Sequence, residues 1–293
     1  MFFYKKKIFA LLKRAMAPRR RALKSSRSAH KKRKQLAMRI GAFGALLLVI
    51  FTGLAWLSWL SNFTIERVEV SGNTTVSEEE VRAYVEKRLD GGYLSVFSRA
   101  NVFLFQPRVI EVELLERFQK IKDIDVSRDS LHSIVVEIDE RKPYYLWCVA
   151  PISPDTRETC FFLDINGLAF APAPYFSGQV YFEFRKQLGD VTDPIGTYFL
   201  PEEEFKRIIS FRNSMRVFEL EPHAFVIDER GDYLFLLSSG AKMIFNTEQD
   251  FDLLFSSLLA TSGTEQFKGK SVGDASLEYI DLRFKNKVYY RFK

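Results

Sequence analysis

The sequence predicts an α+β protein tied to a membrane by a single N-terminal transmembrane helix. A small β-α-α-β-β unit follows, then a mostly antiparallel β domain with two helices. Three observations predict this. Residues 40–60 carry no charged side chain. Residues 63–140 alternate strand and helix periodicities in the β-α-α-β-β order. Residues 141–293 break into short apolar runs separated by turn residues, with two helical stripes among them.

The run from Ile40 to Leu60 is 21 residues long. As a helix it spans roughly 31 Å, the thickness of a bilayer's hydrocarbon core. A helix satisfies its own backbone polar groups in lipid. Trp56 and Trp59 sit near one end, where amphipathic rings favour the headgroup level. The run is longer than the apolar region of a signal peptide, and Ser-Asn-Phe-Thr after Leu60 makes a poor cleavage site.

Residues 1–39 form a basic tail. Of 43 Lys+Arg in the chain, fifteen precede Ile40, leaving 28 against 37 Asp+Glu, a net −9, for the rest. The first acidic residue is Glu66. Such a bias keeps the tail on the cytoplasmic side, so the chain after Asn62 is expected outside the cytoplasmic membrane. The sequence pI near 9.1 therefore does not describe a basic body. The expected partner of the tail is anionic lipid headgroups, which attract each nearby Lys or Arg by ~1 kcal/mol. Nucleic acid is the weaker reading. Met1–Leu12 interleaves aromatic and aliphatic residues with Lys5, Lys6 and Lys7 and suits a surface-lying helix. Residues 17–38 have almost no large apolar side chain and are expected to be disordered.

In residues 63–140, Ile65–Val70 is the first strand. Ser71-Gly72-Asn73 turns the chain. Ser77 caps a helix from Glu78 to about Leu89, with Glu80 completing a capping box, and Gly91-Gly92 ends it. Residues 93–106 read as an irregular, Phe-rich connection. Pro107 starts a second helix with Ile110, Leu114 and Phe118 on one face. Ile121–Ser127 and Ser133–Asp139 are strands joined at Asp129-Ser130.

In residues 141–293, strands are expected at Tyr144–Val149, Thr159–Asp164, Val180–Phe184, Phe218–Asp228, Asp232–Ser238, Ala241–Phe245, Leu277–Phe284 and Lys287–Phe292. A further strand follows the Asp164-Ile-Asn-Gly167 turn. Pro201 opens a helix with Phe205, Ile208, Ile209 and Arg212 near one face. Thr247 caps another, with Phe251, Leu254, Phe255, Leu258 and Leu259 as its core stripe.

Two segments carry a family resemblance: Ile65-Glu-Arg-Val-Glu-Val-Ser-Gly-Asn-Thr-Thr-Val-Ser and Val136-Glu-Ile-Asp-Glu-Arg-Lys-Pro143. They resemble a POTRA domain, in particular that of the FtsQ/DivIB family of bacterial division proteins. Phe161-Phe-Leu-Asp-Ile-Asn-Gly-Leu-Ala-Phe170 and Tyr279-Ile-Asp-Leu-Arg-Phe284, followed by Val288-Tyr-Tyr-Arg291, extend the resemblance over roughly residues 40–293. It implies a bitopic scaffold of the divisome, placed at the septum in the cytoplasmic membrane, with no enzymatic activity. It also implies that the C-terminal edge binds the paired membrane proteins FtsB (DivIC) and FtsL. Carried over onto this chain, the partner-binding candidates are Arg283, Phe284, Val288, Tyr289, Tyr290 and Arg291.

Strand physics points to the same edge. A last strand with nothing after it to cover it offers N–H and C=O groups to another strand. Alternation puts Val288, Tyr290 and Phe292 on one side, and Lys287, Tyr289 and Arg291 on the other. In the preceding strand Ile280, Leu282 and Phe284 are expected to face the core, with Tyr279, Asp281 and Arg283 outside. Ordinary surface and core positions in a final hairpin give the same pattern.

Cys148 and Cys160 lie on two arms of one predicted hairpin, equidistant from Pro154. A disulfide there would close a loop of ~13 residues and stabilise by ~3 kcal/mol in the chain-entropy model; two small buried apolar residues are the alternative.

No catalytic constellation emerges, and no cofactor or metal site is expected. His30, His132 and His223 lie apart, without triad or ligand spacing. Glu78-Glu79-Glu80 and Glu202-Glu203-Glu204 resemble paired acid/base carboxylates, but both open helices, where acidic residues favour the dipole. Two other classes stay open: a POTRA-bearing protein of export or outer-membrane assembly, and a membrane-anchored cell-wall enzyme.

Overall fold

The structure is a computed structural model, and it describes residues 26–149, 158–186, 193–246, 249–264, 276–284 and 287–293. Helix α1, Ser26–Ser58, contains the apolar run and is long and apolar enough to cross a membrane. It also takes in residues 26–38, expected to be disordered. Lys, Arg, Gln, Leu, Ala and Met dominate that stretch, all good helix formers, and the apolar helix is already nucleated beside it. The expected surface helix at Met1–Leu12 lies outside the described residues.

The smaller unit follows the expected order. Strand β1 is Arg67–Ser71, α2 is Glu78–Leu89, α3 is Pro107–Arg117, β4 is Ile121–Arg128 and β5 is Ser133–Glu140. The sheet order is β1-β5-β4, with β1 parallel and β4 antiparallel to β5. Alternation in β5 buries Ile134, Val136 and Ile138 against Val81 and Val85 of α2 and Ile110 and Leu114 of α3. Ser77 caps α2 by accepting the Glu80 amide at 3.3 Å. The carboxylate it meets in return is that of Glu79, at 3.0 Å, not that of Glu80 as the capping box predicts.

The connection at 93–106 is not wholly irregular. It begins with a short hairpin, β2 (Gly92–Tyr93) with β3 (Phe97–Ser98). Val102 and Phe105 then enter the core.

The larger unit is one nine-stranded sheet, in the order β14-β13-β12-β11-β10-β9-β6-β7-β8. Its strands are β6 Tyr145–Val149, β7 Thr159–Leu163, β8 Ala169–Pro172, β9 Phe182–Arg185, β10 Pro222–Ile227, β11 Tyr233–Leu237, β12 Lys242–Phe245, β13 Leu277–Asp281 and β14 Tyr289–Phe292. Most neighbours are antiparallel; β6–β9, β9–β10 and β12–β13 are parallel. Helices α4 (Glu202–Ser214) and α5 (Phe251–Ser262) join the sheet in one aromatic core that includes Phe184, Phe205, Phe225, Phe235 and Phe245. Phe184 and Phe205 stack at 4.6 Å between centroids.

Several expected details shift. Phe211 is buried in α4, while Arg212 lies over the Phe182 ring, 4.3 Å from its centroid. The stretch expected to be strand from Phe218 instead starts with a 3-10 turn, Met215–Phe218, and a left-handed Glu219, so β10 begins at Pro222. Thr247 lies outside the described residues; α5 is capped by Asp250, whose side chain accepts the Asp252 amide at 3.0 Å. Leu259 of the expected core stripe is exposed.

Candidate partner-binding edge

The six candidate residues lie on or beside the last two strands of the large sheet. β14 pairs antiparallel with β13 and ends the sheet order. Val288, Tyr290 and Phe292 pack on the core cluster, while Tyr289 is 47% exposed. Arg291 is exposed and paired with Glu278 of β13. Phe284 is not in the core as alternation predicts: it is 50% exposed and meets the Tyr289 ring edge-on at 5.1 Å. β13 ends at Asp281, so strand alternation no longer aims Phe284 inward.

Asp281 and Arg283 are not plain surface groups either. Asp281 is buried, and Arg283 holds it at 2.6 Å and Asp232 at 2.6 Å. Burial alone raises the Asp281 pKa, but the bonds from Arg283 outweigh it and hold the carboxyl below its usual range. Arg283 therefore braces the β11–β13 region, and Phe284, Tyr289 and Arg291 are the solvent-facing members of the set. Exposed Tyr, Phe and Arg side by side suit an interface anchor.

The opposite edge is built differently. Along β8, the Ala169 amide donates to Thr197 O at 2.9 Å, the Gly196 amide donates to Ala169 O at 2.7 Å, and the Phe199 amide donates to Gly167 O at 3.0 Å. Pro172 closes the strand without an amide donor,. Gly196 has φ +83°, a value that favours glycine.

The same end carries the joint between the two units. Arg141 donates to Asp164 at 2.6 Å, and its Nε donates to Gln119 O at 3.2 Å. The Arg141 and Asp164 side chains are 18% and 7% exposed. Asp164 also accepts the Asn166 and Leu168 amides, at 2.9 and 3.0 Å, which makes it the turn residue expected. Gly167 is required there: a Cβ would come within 2.6 Å of the Phe205 ring. Beside Arg141, Glu140 accepts the Thr74, Thr75 and Val76 amides at 2.6, 2.8 and 2.9 Å, and the Thr75 hydroxyl at 2.6 Å. Burial raises its pKa, but these donors outweigh burial and bring it down from 4.5 to about 2. The Glu140-Arg141 pair, part of the segment that carries the family resemblance, thus ties the β5 exit both to the start of α2 and to the larger sheet.

Cys148 and Cys160 face each other across β6 and β7 and form a disulfide. Glu158 lies near both sulfurs, but sulfurs joined to each other carry no thiolate to hold a metal. The carboxylate triplets open α2 and α4. Glu78 pairs with Arg82 and Glu202 with Lys206 along their own helices. His132 is exposed in the β4–β5 turn; His223 is half-buried on β10, where burial lowers its pKa.

Comparison with known proteins bears on the smaller unit. The family of POTRA domains of FtsQ type matches residues 63–141. Residues 63–141 are an FtsQ-type POTRA domain. The cell division protein FtsQ of Streptomyces coelicolor (strain ATCC BAA-471 / A3(2) / M145) is 29% identical over 98 residues, 33% of this chain and 34% of that protein. The alignment thus spans about a third of that relative's length. Both matches are to an FtsQ protein or to its type of POTRA domain.

Proposed function

We propose that this FtsQ/DivIB-like chain is a non-enzymatic, bitopic scaffold of the division machinery. Its basic tail lies in the cytoplasm beside anionic headgroups, α1 crosses the cytoplasmic membrane, and the POTRA and β domains work outside it at the septum. The β14 edge takes up a strand from an FtsB/DivIC-like protein that is itself paired with an FtsL-like one. The name of the Streptomyces relative supports the division role. The observation that carries the docking site is the contrast between the sheet's edges: β8 is covered by Gly196–Phe199, whereas no strand follows β14 among the described residues, and Phe284, Tyr289 and Arg291 are exposed there.

The test is binding of the full chain, in nanodiscs, to the extracytoplasmic part of the same organism's FtsB/DivIC-like protein. Phe284→Ala with Tyr289→Ala is expected to weaken binding by about 2 kcal/mol, roughly 30-fold, with an unchanged melting temperature. No binding by the native chain would overturn the scaffold reading. Equal binding by the double variant would overturn the location.

A further inference from the structure

Among the described residues, the β2–β3 hairpin packs against the end of α1. The Trp59 indole donates to Val96 O at 2.8 Å, the Ser98 amide donates to Ser58 Oγ at 3.2 Å, and the Asn101 side chain donates to Ser58 O at 3.1 Å. Further down the helix, Phe97 meets the Phe51 ring edge-on, with centroids 5.4 Å apart. Phe51 lies nine residues before Leu60. At ~1.5 Å of rise per residue, that is about 13 Å inside the end of the apolar run. Half of a hydrocarbon core is ~15 Å. A hairpin in this position lies beside the part of the helix that lipid would surround.

The tip has the wrong chemistry for an ordinary turn. The Val96 amide donates to Tyr93 O at 2.9 Å, and the two central residues, Leu94 and Ser95, have φ of 49° and 59°. Positive φ at both central positions is the type I′ arrangement, which strongly prefers Asn-Gly. A leucine there is strained, and its side chain is 96% exposed. A leucine that neither suits its backbone nor reaches the core has no reason in the fold. Phe103 and Leu104, just beyond the hairpin, are also exposed, at 59% and 40%. Beside them Arg99 lies over the Tyr93 ring, its buried Nε without a hydrogen-bond partner among the described residues. Trp, Tyr and Arg around an apolar tip is the distribution of a membrane–water interface.

We propose that the β2–β3 hairpin is a lipid-embedded wedge. Leu94 enters the acyl chains of the outer leaflet alongside α1, Tyr93, Trp59 and Arg99 sit at headgroup level, and the POTRA domain is thereby held against the bilayer rather than swinging from its anchor. The proposal rests on the reading that α1 spans the membrane, and the experiment separates the two. The full chain, its native cysteines joined in the disulfide, is labelled with an environment-sensitive fluorophore at Leu94→Cys, Ile50→Cys or Ile165→Cys. Each variant is reconstituted into phosphatidylcholine/phosphatidylglycerol vesicles carrying spin label on the acyl chains. The proposal expects loss of fluorescence at position 94 comparable to that at 50, and none at 165. Quenching at 50 with position 94 behaving like 165 overturns the wedge and leaves the span. No quenching at 50 overturns the span and the wedge with it. If Leu94→Cys fails to fold, Ser95→Cys gives the same readout.

Discussion

The two edges of the nine-stranded sheet solve opposite problems. At the β8 end, backbone groups are taken by Gly196–Phe199, Pro172 removes a donor, and the neighbouring β7–β8 turn is bolted to the POTRA domain through Arg141 and Asp164. At the β14 end, the described residues provide no further strand, and Phe284, Tyr289 and Arg291 face solvent. Both ends use arginine–carboxylate pairs, yet burial separates their roles. Arg141–Asp164 is largely buried, Arg283 with Asp281 and Asp232 partly so, and Arg291–Glu278 is mostly exposed. Buried pairs are costly to break, and exposed ones contribute little stability. One end holds the molecule together, and the other is the edge proposed above for recognition.

Breaking the closed end is expected to have the largest effects. Arg141→Ala leaves Asp164 buried without its cation and should cost about 4 kcal/mol, read by calorimetry of the full chain in detergent. Gly196→Pro removes the donor to Ala169 O and cannot adopt φ +83°. It should cost about 3 kcal/mol and bare β8, so sedimentation should show self-association at an edge that is closed in the native chain.

A smaller effect sharpens the account of the joint. With its pKa lowered from 4.5 to about 2, Glu140 contributes stability that is fully present above pH 4.5 and lost as pH falls toward 2. Glu140→Gln should cost about 2 kcal/mol at neutral pH and flatten the pH dependence of the melting temperature across that window. An unchanged profile would show that the Thr74–Val76 donors do not hold the carboxylate in solution.

What the sequence could show depended on how local the cause was. Ile134, Val136 and Ile138 alternate within one strand, and Ser77 lies three residues from the amide it caps, so both were readable. The β2–β3 hairpin was not, because Leu94-Ser95 stands where turn chemistry favours Asn-Gly. The cover on β8 depends on residues about thirty positions away in sequence, from Ala169 to Gly196 and Thr197, and carries no periodic signal. Asp281 read as a surface residue because its partner Asp232–Arg283 contact joins positions 51 apart. The candidate edge itself was legible as a last strand with Tyr and Arg. Which of those residues face solvent was not, since Phe284 lies just past the point where β13 ends.

The most direct test of the central claim is hydrogen exchange on the full chain in nanodiscs, with and without the extracytoplasmic part of the FtsB/DivIC-like protein. Tyr289→Ala, an exposed position, should change stability by no more than about 0.5 kcal/mol, so it serves as a folded control. The account predicts that the partner slows exchange at Tyr289–Phe292, leaves Ala169–Ala171 unchanged, and has a much weaker effect on the Tyr289→Ala chain. Slowed exchange at β8 with β14 unaffected, or equal protection in the variant, would contradict it.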